Sequence, residues 1–207
     1  ALLLASASWI VHAFPDRPVV LVVPFTASSG SDIISRIVAP KLSERWKQPV
    51  IVENKPGASG NLGAAWVAQA PADGHTLLMA INTLTMTPAV YKNMPYDAAT
   101  DFAPVLKMAE AGYALAVNPS VPAKDVATLV ALTKSKPSSL YYGSPGNGTP
   151  HHLAMELLKL NTGLDATHVP YKGIQGALTD LMGGQVQMMF ATVHSLRPHV
   201  LAGRLKL

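Results

Sequence analysis

The stretch Val19–Trp46, VVLVVPFTASSGSDIISRIVAPKLSERW, decides the fold. It opens with five consecutive apolar residues, four of them Val, a pattern typical of a strand buried on both faces. After Pro24, apolar residues return at helical spacing from Ile33 to Leu42. The stretch therefore predicts a buried strand, a polar loop and an amphipathic helix in direct succession.

The polar loop between this strand and helix carries Ser28, Ser29 and Ser31 around Gly30. The first N–H groups of a helix have no partner inside it, and with the positive end of the helix dipole they form an anion site. The serine hydroxyls can add donors to such a site. A serine that only caps the helix explains the same pattern, so the loop alone leaves both interpretations open.

A second strand, loop and helix follow later in the chain. Residues 140–143 predict a short strand, 144–152 a polar loop, and the residues through about Leu160 a helix. We expect Leu153, Leu157, Leu158 and Leu160 to form much of the apolar face of this helix. Two such units predict two lobes that face one ligand.

The order of elements predicts an α/β fold with parallel-rich sheets. Residues 19–80 form a β-α-β-α-β pattern, with strands at 50–54 and 76–80 after the first. Asn82–Thr87 follows the third strand, at the edge where ligands of open α/β sheets collect. The remaining predicted elements are extended segments at 105–108 and 113–117, strands at 140–142, 167–169 and 186–190, helices at 126–135, 177–182 and 194–202, and a strand beginning at 205–207.

Composition excludes several kinds of protein. The chain of 207 residues has a net charge of +4, and its Lys and Arg residues are scattered rather than gathered in a basic run. We therefore expect no nucleic-acid partner. The chain contains no Cys, which excludes disulfides and a thiol nucleophile.

Residues 1–13, ALLLASASWIVHA, are apolar, uncharged and too short to span a bilayer. Their end, Val11-His12-Ala13, fits the small-residue cleavage pattern of a secretory signal. An ordinary buried segment is the alternative. We interpret residues 1–13 as the remnant of a signal peptide and expect the mature protein to begin near Phe14.

No motif in the sequence forms a convincing catalytic centre. Thr149 stands where a P-loop requires Lys, and Tyr142 stands where a nucleophile elbow around Ser144 requires Gly. The adjacent His151 and His152 point about 100° apart on a helix, which is poor geometry for one metal ion. We expect no metal, no cofactor and no catalysis. The rival interpretation is a small hydrolase or transferase that uses Ser144 with His151 or His152.

An ordered set of motifs resembles the Bug family, the periplasmic substrate-binding proteins of tripartite tricarboxylate transporters. The motifs run in register from about Phe14 to Leu207, and the set is specific although each motif alone is weak. They are PVVLVVPF at 18–25, GSD at 30–32, PVIVENKPG at 49–57, GNLG at 60–63, DGHTLL at 73–78, PYD at 95–97, DFAP at 101–104, GNGT at 146–149, HVPYKG at 168–173, ALTDL at 177–181 and GGQV at 183–186.

The resemblance implies a two-lobed, type II-like periplasmic binding protein that holds a small carboxylate between its lobes. Lobe one would comprise residues 14–104 and lobe two, with hinge segments, residues 105–207. It implies membrane components of a tripartite transporter as partners, a monomer, a periplasmic location, and a C-terminal portion that completes lobe one and is missing here. A fragment that does not fold alone is a further possibility.

The resemblance also implies which residues face the ligand. Two departures from the family stand out: Ala27-Ser28-Ser29 replaces a glycine-rich run, and Ala191 stands where many members carry Asp. That Ala puts recognition of an ammonium-bearing ligand in doubt. For Asp32 we expect a structural capping role. The implied ligand-facing residues are Thr26, Ala27, Ser28, Ser29, Gly30, Ser31, Asn82, Thr83, Thr85, Ser144, Gly146, Asn147, Gly148, Thr149, Tyr171, Lys172 and Gly173.

Overall fold

The computed structural model describes residues 13–135 and 139–207, so the predicted signal remnant lies outside the described residues except for Ala13. The described residues form seven strands and seven α-helices in alternation. These are β1 (Val19–Val23), α1 (Gly30–Trp46), β2 (Val50–Asn54), α2 (Asn61–Ala68), β3 (Thr76–Leu78), α3 (Thr83–Met86), β4 (Tyr113–Val117), α4 (Val126–Ser135), β5 (Tyr141–Ser144), α5 (Pro150–Thr162), β6 (Thr167–Pro170), α6 (Ile174–Gly183), β7 (Met188–Thr192) and α7 (Val193–Leu201).

The N-terminal unit, β1–β3 with α1–α3, contains a parallel sheet in the order β2-β1-β3. Val19, Val22 and Val23 of the central strand β1 are fully buried, as the apolar run predicts. The predicted parallel β-α-β-α-β unit is confirmed. Strand β3 is shorter than predicted and ends at Leu78, which pairs with Val22.

The C-terminal unit, β4–β7 with α4–α7, contains a second sheet in the order β4-β7-β5-β6. Only β4 runs antiparallel to its neighbour, so this sheet is parallel-rich as predicted. Strand β7 begins at Met188, two residues later than the predicted start at Val186. The reason is that the N–H of Val186 donates to the carbonyl of Asp180 in α6. Val186 therefore belongs to the C-terminal turn of that helix and does not pair with a neighbouring strand.

Alternation along β7 gives the second sheet a core on each face. Met188 packs with Tyr142 and Met155 in one cluster, and Met189 packs with Leu181 and others in a second. Successive strand residues point to opposite faces, so one strand serves both cores. Helices therefore cover both sides of this sheet, which is the arrangement an α/β layer fold requires.

The predicted apolar face of α5 is partly wrong. Leu157 and Leu160 are exposed, whereas His151 and Met155 are buried one turn apart against the sheet. The helix carries more apolar residues than its contact face can bury. A similar correction applies to α1, where the small residues Ser35 and Ala39 are buried and Ile37 is exposed.

The segment 105–108, predicted to be extended, forms no strand among the described residues. Val105 and Leu106 are 76% and 70% exposed, and no described strand pairs with this segment. The predicted strand at 205–207 is a single antiparallel bridge between Lys206 and Val117.

Within residues 13–135 and 139–207, none of the helices combines the length and apolar character needed to cross a membrane.

Candidate ligand-binding site

The first loop, Thr26–Ser31, joins the carboxyl end of β1 to the start of α1. Ser29 is the N-cap of the helix, and its hydroxyl accepts the N–H of Asp32 at 3.4 Å. Ser28 has a φ of +62°, which turns the chain into the helix. The capping interpretation of this loop is therefore correct for Ser29, and it does not exclude the remaining free donors from an anion site.

Asp32 is a buried carboxylate that holds the first loop in shape. It accepts the N–H of Ser28 at 2.8 Å, the Nε of Arg36 at 3.0 Å and the Nδ2 of Asn54 at 2.8 Å. Burial alone would raise the pKa of Asp32, but these three donors and the Arg36 charge hold it below its usual value. The expected structural role of Asp32 thus has a geometric basis, and its charge is neutralised rather than aimed at a ligand.

The second loop, Ser144–Thr149, joins β5 to α5 in the same way. Thr149 is the N-cap of α5: its hydroxyl accepts the N–H of His152 at 3.4 Å and donates to the carbonyl of Gly146 at 2.8 Å. Its side chain is fully buried. The sequence predicts that Thr149 faces the ligand, but the single proton of its hydroxyl is already used inside the loop.

Two glycines of the second loop have left-handed backbone conformations. Gly146 has a φ of +137° and Gly148 a φ of +72°, values that other residues rarely adopt. Both also lie against the N-terminal unit. A methyl group at Gly146 would lie 2.6 Å from the hydroxyl of Ser59, and one at Gly148 would lie 3.1 Å from Val90.

The predicted loop after β3 is a short helix, α3. The carbonyl of Asn82 accepts the N–H groups of Thr85 and Met86, which closes a helical turn four residues after the end of β3. Thr83 is buried, whereas Asn82 and Thr85 are exposed. These three predicted site residues therefore lie on one turn that presents two polar side chains to solvent.

Tyr171, Lys172 and Gly173 follow β6. The hydroxyl of Tyr171 donates to Asp180 at 2.7 Å, and burial together with that carboxylate raises the pKa of Tyr171 to about 12. Lys172 is exposed. Gly173 is buried, and a methyl group there would lie 2.4 Å from Thr26 of the first loop.

The first loop contacts the C-terminal unit at two further points. The carbonyl of Ala27 accepts the Nε2 of Gln175 at 3.2 Å. A methyl group at Gly30 would lie 2.5 Å from the Nε2 of His194, whose ring lies 3.2 Å from the hydroxyl of Thr192. The start of α1, which follows β1, therefore lies against the start of α7, which follows β7, although the two strands belong to different sheets.

The second loop makes the corresponding contact with the N-terminal unit. The hydroxyl of Ser59 donates to the carbonyl of Asn147 at 2.7 Å and lies 3.1 Å from the hydroxyl of Tyr91. The structure thus brings the predicted loops of both units to one boundary.

Sequence reasoning did not single out Ser59, His168, Thr192 or His194. Ser59 lies in the glycine-rich run Gly57–Gly63, and that run was the available signal for a tight turn. His168 opens the HVPYKG motif at 168–173 but was given no role there, and His194, in the first turn of α7, belongs to no motif. Ala191, where many family members carry Asp, is fully buried in the core of the second sheet.

The rival hydrolase interpretation named the wrong histidines. Ser144 lies 2.7 Å from the Nε2 of His168, while the ring of His151 packs edge-on against Tyr113 and His152 accepts the N–H of Gly148. Ser144 is also fully buried. A nucleophile must reach its substrate, so this Ser–His contact is structural in the geometry seen here.

Two buried polar atoms next to the loops have no hydrogen-bond partner in the described part of the chain: Thr26 Oγ1 and His151 Nδ1. Buried polar groups are nearly always paired, so each atom needs an explanation. Thr26 belongs to the first loop, and His151 lies in the first turn of α5 after the second loop. One orphaned polar atom therefore lies in the first loop before α1, and the other lies in the first turn of α5.

No group of three or more metal-ligating side chains occurs among the described residues that could hold an ion. An open cavity of about 350 Å³ lies between α1 and β2, lined by Arg36, Ala39, Pro40, Ser43, Val50 and Val52. None of these six is a predicted site residue, so the cavity is separate from the loops.

Two α/β units that meet through loops at the carboxyl ends of their strands define an α/β periplasmic binding protein fold. Residues 34–207 match the family described as "Tripartite tricarboxylate transporter family receptor", and the chain belongs to that family. The resemblance to the Bug family and the fold class are thereby confirmed. The family is described as a transport receptor, which agrees with the non-catalytic prediction.

The chain is similar to several known proteins. It is 38% identical over 207 residues to a UPF0065 protein of Bordetella pertussis, covering 100% of this chain and 64% of that protein. It is 39% identical to the protein in the solved structure of R. palustris Rpa4515 with adipate, with a TM-score of 0.90 over 93% of this chain and 65% of that one. The structure of the periplasmic binding protein BugD is 29% identical, with a TM-score of 0.84 over 93% of this chain and 64% of that one. The chain therefore spans about 65% of the length of such relatives.

Proposed function

We propose that this protein captures a small carboxylate between its two units in the periplasm and delivers it to the membrane components of a tripartite tricarboxylate-type transporter. The observation that carries the proposal is the meeting of two polar loops, each opening a capped helix and each bonded to the opposite unit. The adipate in the similar Rpa4515 structure supports a carboxylate as the ligand class.

The energy of binding must come from several donors. A helix start stabilises an exposed anion by about 0.3–1 kcal/mol, and up to ~2 kcal/mol when partly buried. Micromolar affinity requires about 8 kcal/mol, so two dipoles are insufficient. Charge-assisted hydrogen bonds of about 1.5–3 kcal/mol each must supply the rest, from backbone N–H groups and from free polar atoms such as Thr26 Oγ1.

We further propose the boundaries 14–104 and 105–207 for the two lobes, with closure by a hinge between them. In this scheme the contacts of Ser59 with Asn147 and of Gln175 with Ala27 belong to the closed form. The protein acts as a monomer and is exported through a signal peptide that includes residues 1–13. Mass spectrometry of protein from the native host tests export: an intact N-terminus on cytosolic protein would contradict it.

The decisive test of function is thermal stability with a panel of di- and tricarboxylates and aromatic acids, on the full-length protein. A ligand at a hundred times its dissociation constant should add about 2.7 kcal/mol of stability. If no acid shifts the transition, and an ester or phosphate is turned over in a reaction that Ser144→Ala abolishes, then the binding function is wrong and the hydrolase interpretation is right.

A further inference from the structure

Three aromatic rings form a continuous stack behind the second loop. The rings of Tyr142 and His168 lie 4.7 Å apart between centroids, and those of His168 and His152 lie 4.2 Å apart. The planes are within 20° and 22° of parallel. The three residues come from β5, β6 and α5, so the stack ties three elements together at the base of the loop.

Both histidines of the stack contact the second loop. The N–H of Gly148 donates to Nδ1 of His152 at 3.1 Å, which requires that nitrogen to carry a lone pair. Nε2 of His168 lies 2.7 Å from the hydroxyl of Ser144, which in turn contacts both the N–H and the carbonyl of Gly146. One end of the loop thus depends on His152 and the other on His168.

Only one of these contacts is lost on protonation. A protonated His168 can still donate Nε2–H to Ser144, whereas a proton on Nδ1 of His152 sets a donor against the N–H of Gly148. A second charge on the neighbouring ring would add repulsion across the 4.2 Å stack. His152 is therefore the residue whose charge state decides the shape of the loop.

The charged groups around the stack are Glu156 and Lys159 of α5, and the third ring of the stack, Tyr142 of β5, is itself titratable. Tyr142 donates to Glu156, and Lys159 bonds the same carboxylate at 2.9 Å. Burial lowers the pKa of His152, with Glu156 opposing and Lys159 assisting. Burial and the His152 charge also lower the pKa of His168, to about 4. Both rings are accordingly neutral at neutral pH.

We propose that His152 is a positioning residue of the second loop, which holds Gly148 in the ligand-binding shape while its ring is neutral and releases it in acid. This inference rests on the proposed function, because it assigns the loop to ligand capture. It predicts that the protein binds a carboxylate most tightly at neutral pH and that its affinity decreases as pH falls. This decrease is in addition to the one caused by protonation of the ligand.

The first test uses NMR of the ligand-free, full-length protein. The amide signal of Gly148 and the ring nitrogens of His152 should titrate together, with one midpoint below the ordinary His value. In His152→Asn the Gly148 signal should stay constant, since the Asn oxygen replaces Nδ1 as acceptor and does not titrate. A Gly148 amide that ignores the His152 titration would overturn the proposal.

The second test is calorimetric titration with adipate near neutral pH and near pH 4.5. Wild type should lose at least threefold more affinity than His152→Asn, because protonation of adipate affects both proteins equally. His152→Ala should bind weakly at both pH values, and the Asn variant should restore neutral-pH affinity. His199→Asn is the matched control, since the ring of His199 bonds Arg204 and its pKa is also lowered by burial.

Equal pH dependence of wild type and His152→Asn would overturn the positioning role even if adipate binds well. A coupled titration of Gly148 and His152 without binding of any acid would support the loop coupling and contradict the proposed function. The two failures are therefore distinguishable.

Discussion

The hydroxyl of Ser59 donates to the carbonyl oxygen of Asn147 at 2.7 Å and thereby joins the N-terminal unit to the second loop. Ser59 has a φ of +58°, so the backbone adopts a left-handed conformation to place this hydroxyl. The next loop residue along the boundary, Gly148, packs against Val90 of the same unit. At this point the boundary between the units therefore combines one directional hydrogen bond with one packing contact.

Ser59→Ala should weaken carboxylate binding by roughly fivefold, because a net hydrogen bond contributes about 0.5–1.5 kcal/mol to the closed form. Calorimetric titration measures the change. Ser135→Ala is the control, since that hydroxyl bonds the carbonyl of Leu132 within α4. If both variants bind as wild type does, the Ser59 contact does not belong to the ligand-bound form.

Asp32→Ala should lower the free energy of unfolding by about 1–3 kcal/mol, because it removes a buried carboxylate that accepts hydrogen bonds from Ser28, Arg36 and Asn54. Urea denaturation measures the change. Asp125→Ala, which removes an exposed carboxylate that accepts the N–H of Thr128, should cost less.

Asp32 also predicts a pH dependence of stability. Its folded pKa lies below the ordinary value of 3.8, so its stabilisation is present above that value and is lost as pH falls through the folded pKa. Asp32→Ala should flatten this acid limb. A loss of stability equal to that of Asp125→Ala, with an unchanged acid limb, would contradict the buried network.

Thr149→Val should destabilise the protein by about 1 kcal/mol through loss of the α5 cap, whereas Thr149→Ser should retain most of the stability. A direct ligand donor at this position, as the sequence predicts, would instead cost roughly tenfold in binding when removed. Because the hydroxyl donates to Gly146, any loss of affinity should follow the change in loop stability. If Thr149→Val loses much of its affinity while its free energy of unfolding is unchanged, the Thr149 hydroxyl donates directly to the ligand.

His151 should make stability fall in acid. Burial lowers the pKa of this ring from 6.5 to about 4, so the folded state resists the proton that the unfolded state binds. The neutral ring is therefore fully compatible with folding above about pH 6.5, and stability falls as pH decreases toward about 4.

His151→Leu should reduce the loss of stability between about pH 7 and about pH 4.5 by about 2–3 kcal/mol. Denaturation at a series of pH values measures this slope. His199→Leu should change the slope less, because that residue is less deeply buried. If the dependence of stability on pH is the same in His151→Leu as in wild type, burial of His151 does not cause the loss of stability in acid.

The sequence was sufficient for the elements with strong local signals. The Val-rich run marked β1, and the serines of the first loop offered the N-cap of α1, which is Ser29. The N-cap role of Thr149 in α5 was not predicted. The predicted helix at 177–182 is α6, which ends at Gly183 with Gly184 as its αL cap. Such signals are local, since caps, turns and buried strands depend on residues within a few positions of one another.

Sequence patterns gave the wrong burial or pairing wherever the result depended on which other element the residue packs against. Leu157 and Leu160 fit the apolar period of α5 but are exposed, because only one stripe of a helix can reach the sheet. Val105 and Leu106 have the pattern of an extended segment, yet no described strand pairs with them. The spacing of apolar residues shows which faces of a helix or strand could be buried. Packing against other elements decides which of those faces is buried.

The amino-acid order by itself determined the two strand–loop–helix units, the family and the loops that carry the proposed site. Tertiary structure alone decided that Ser144 pairs with His168 rather than His151 or His152, and that the Asp32 carboxylate, ion-paired with Arg36, also accepts a hydrogen bond from the Asn54 amide. It also decided that the Thr149 hydroxyl bonds its own loop. These outcomes depend on residues far apart in sequence or on competing acceptors within reach, and only the folded geometry selects which donor meets which acceptor.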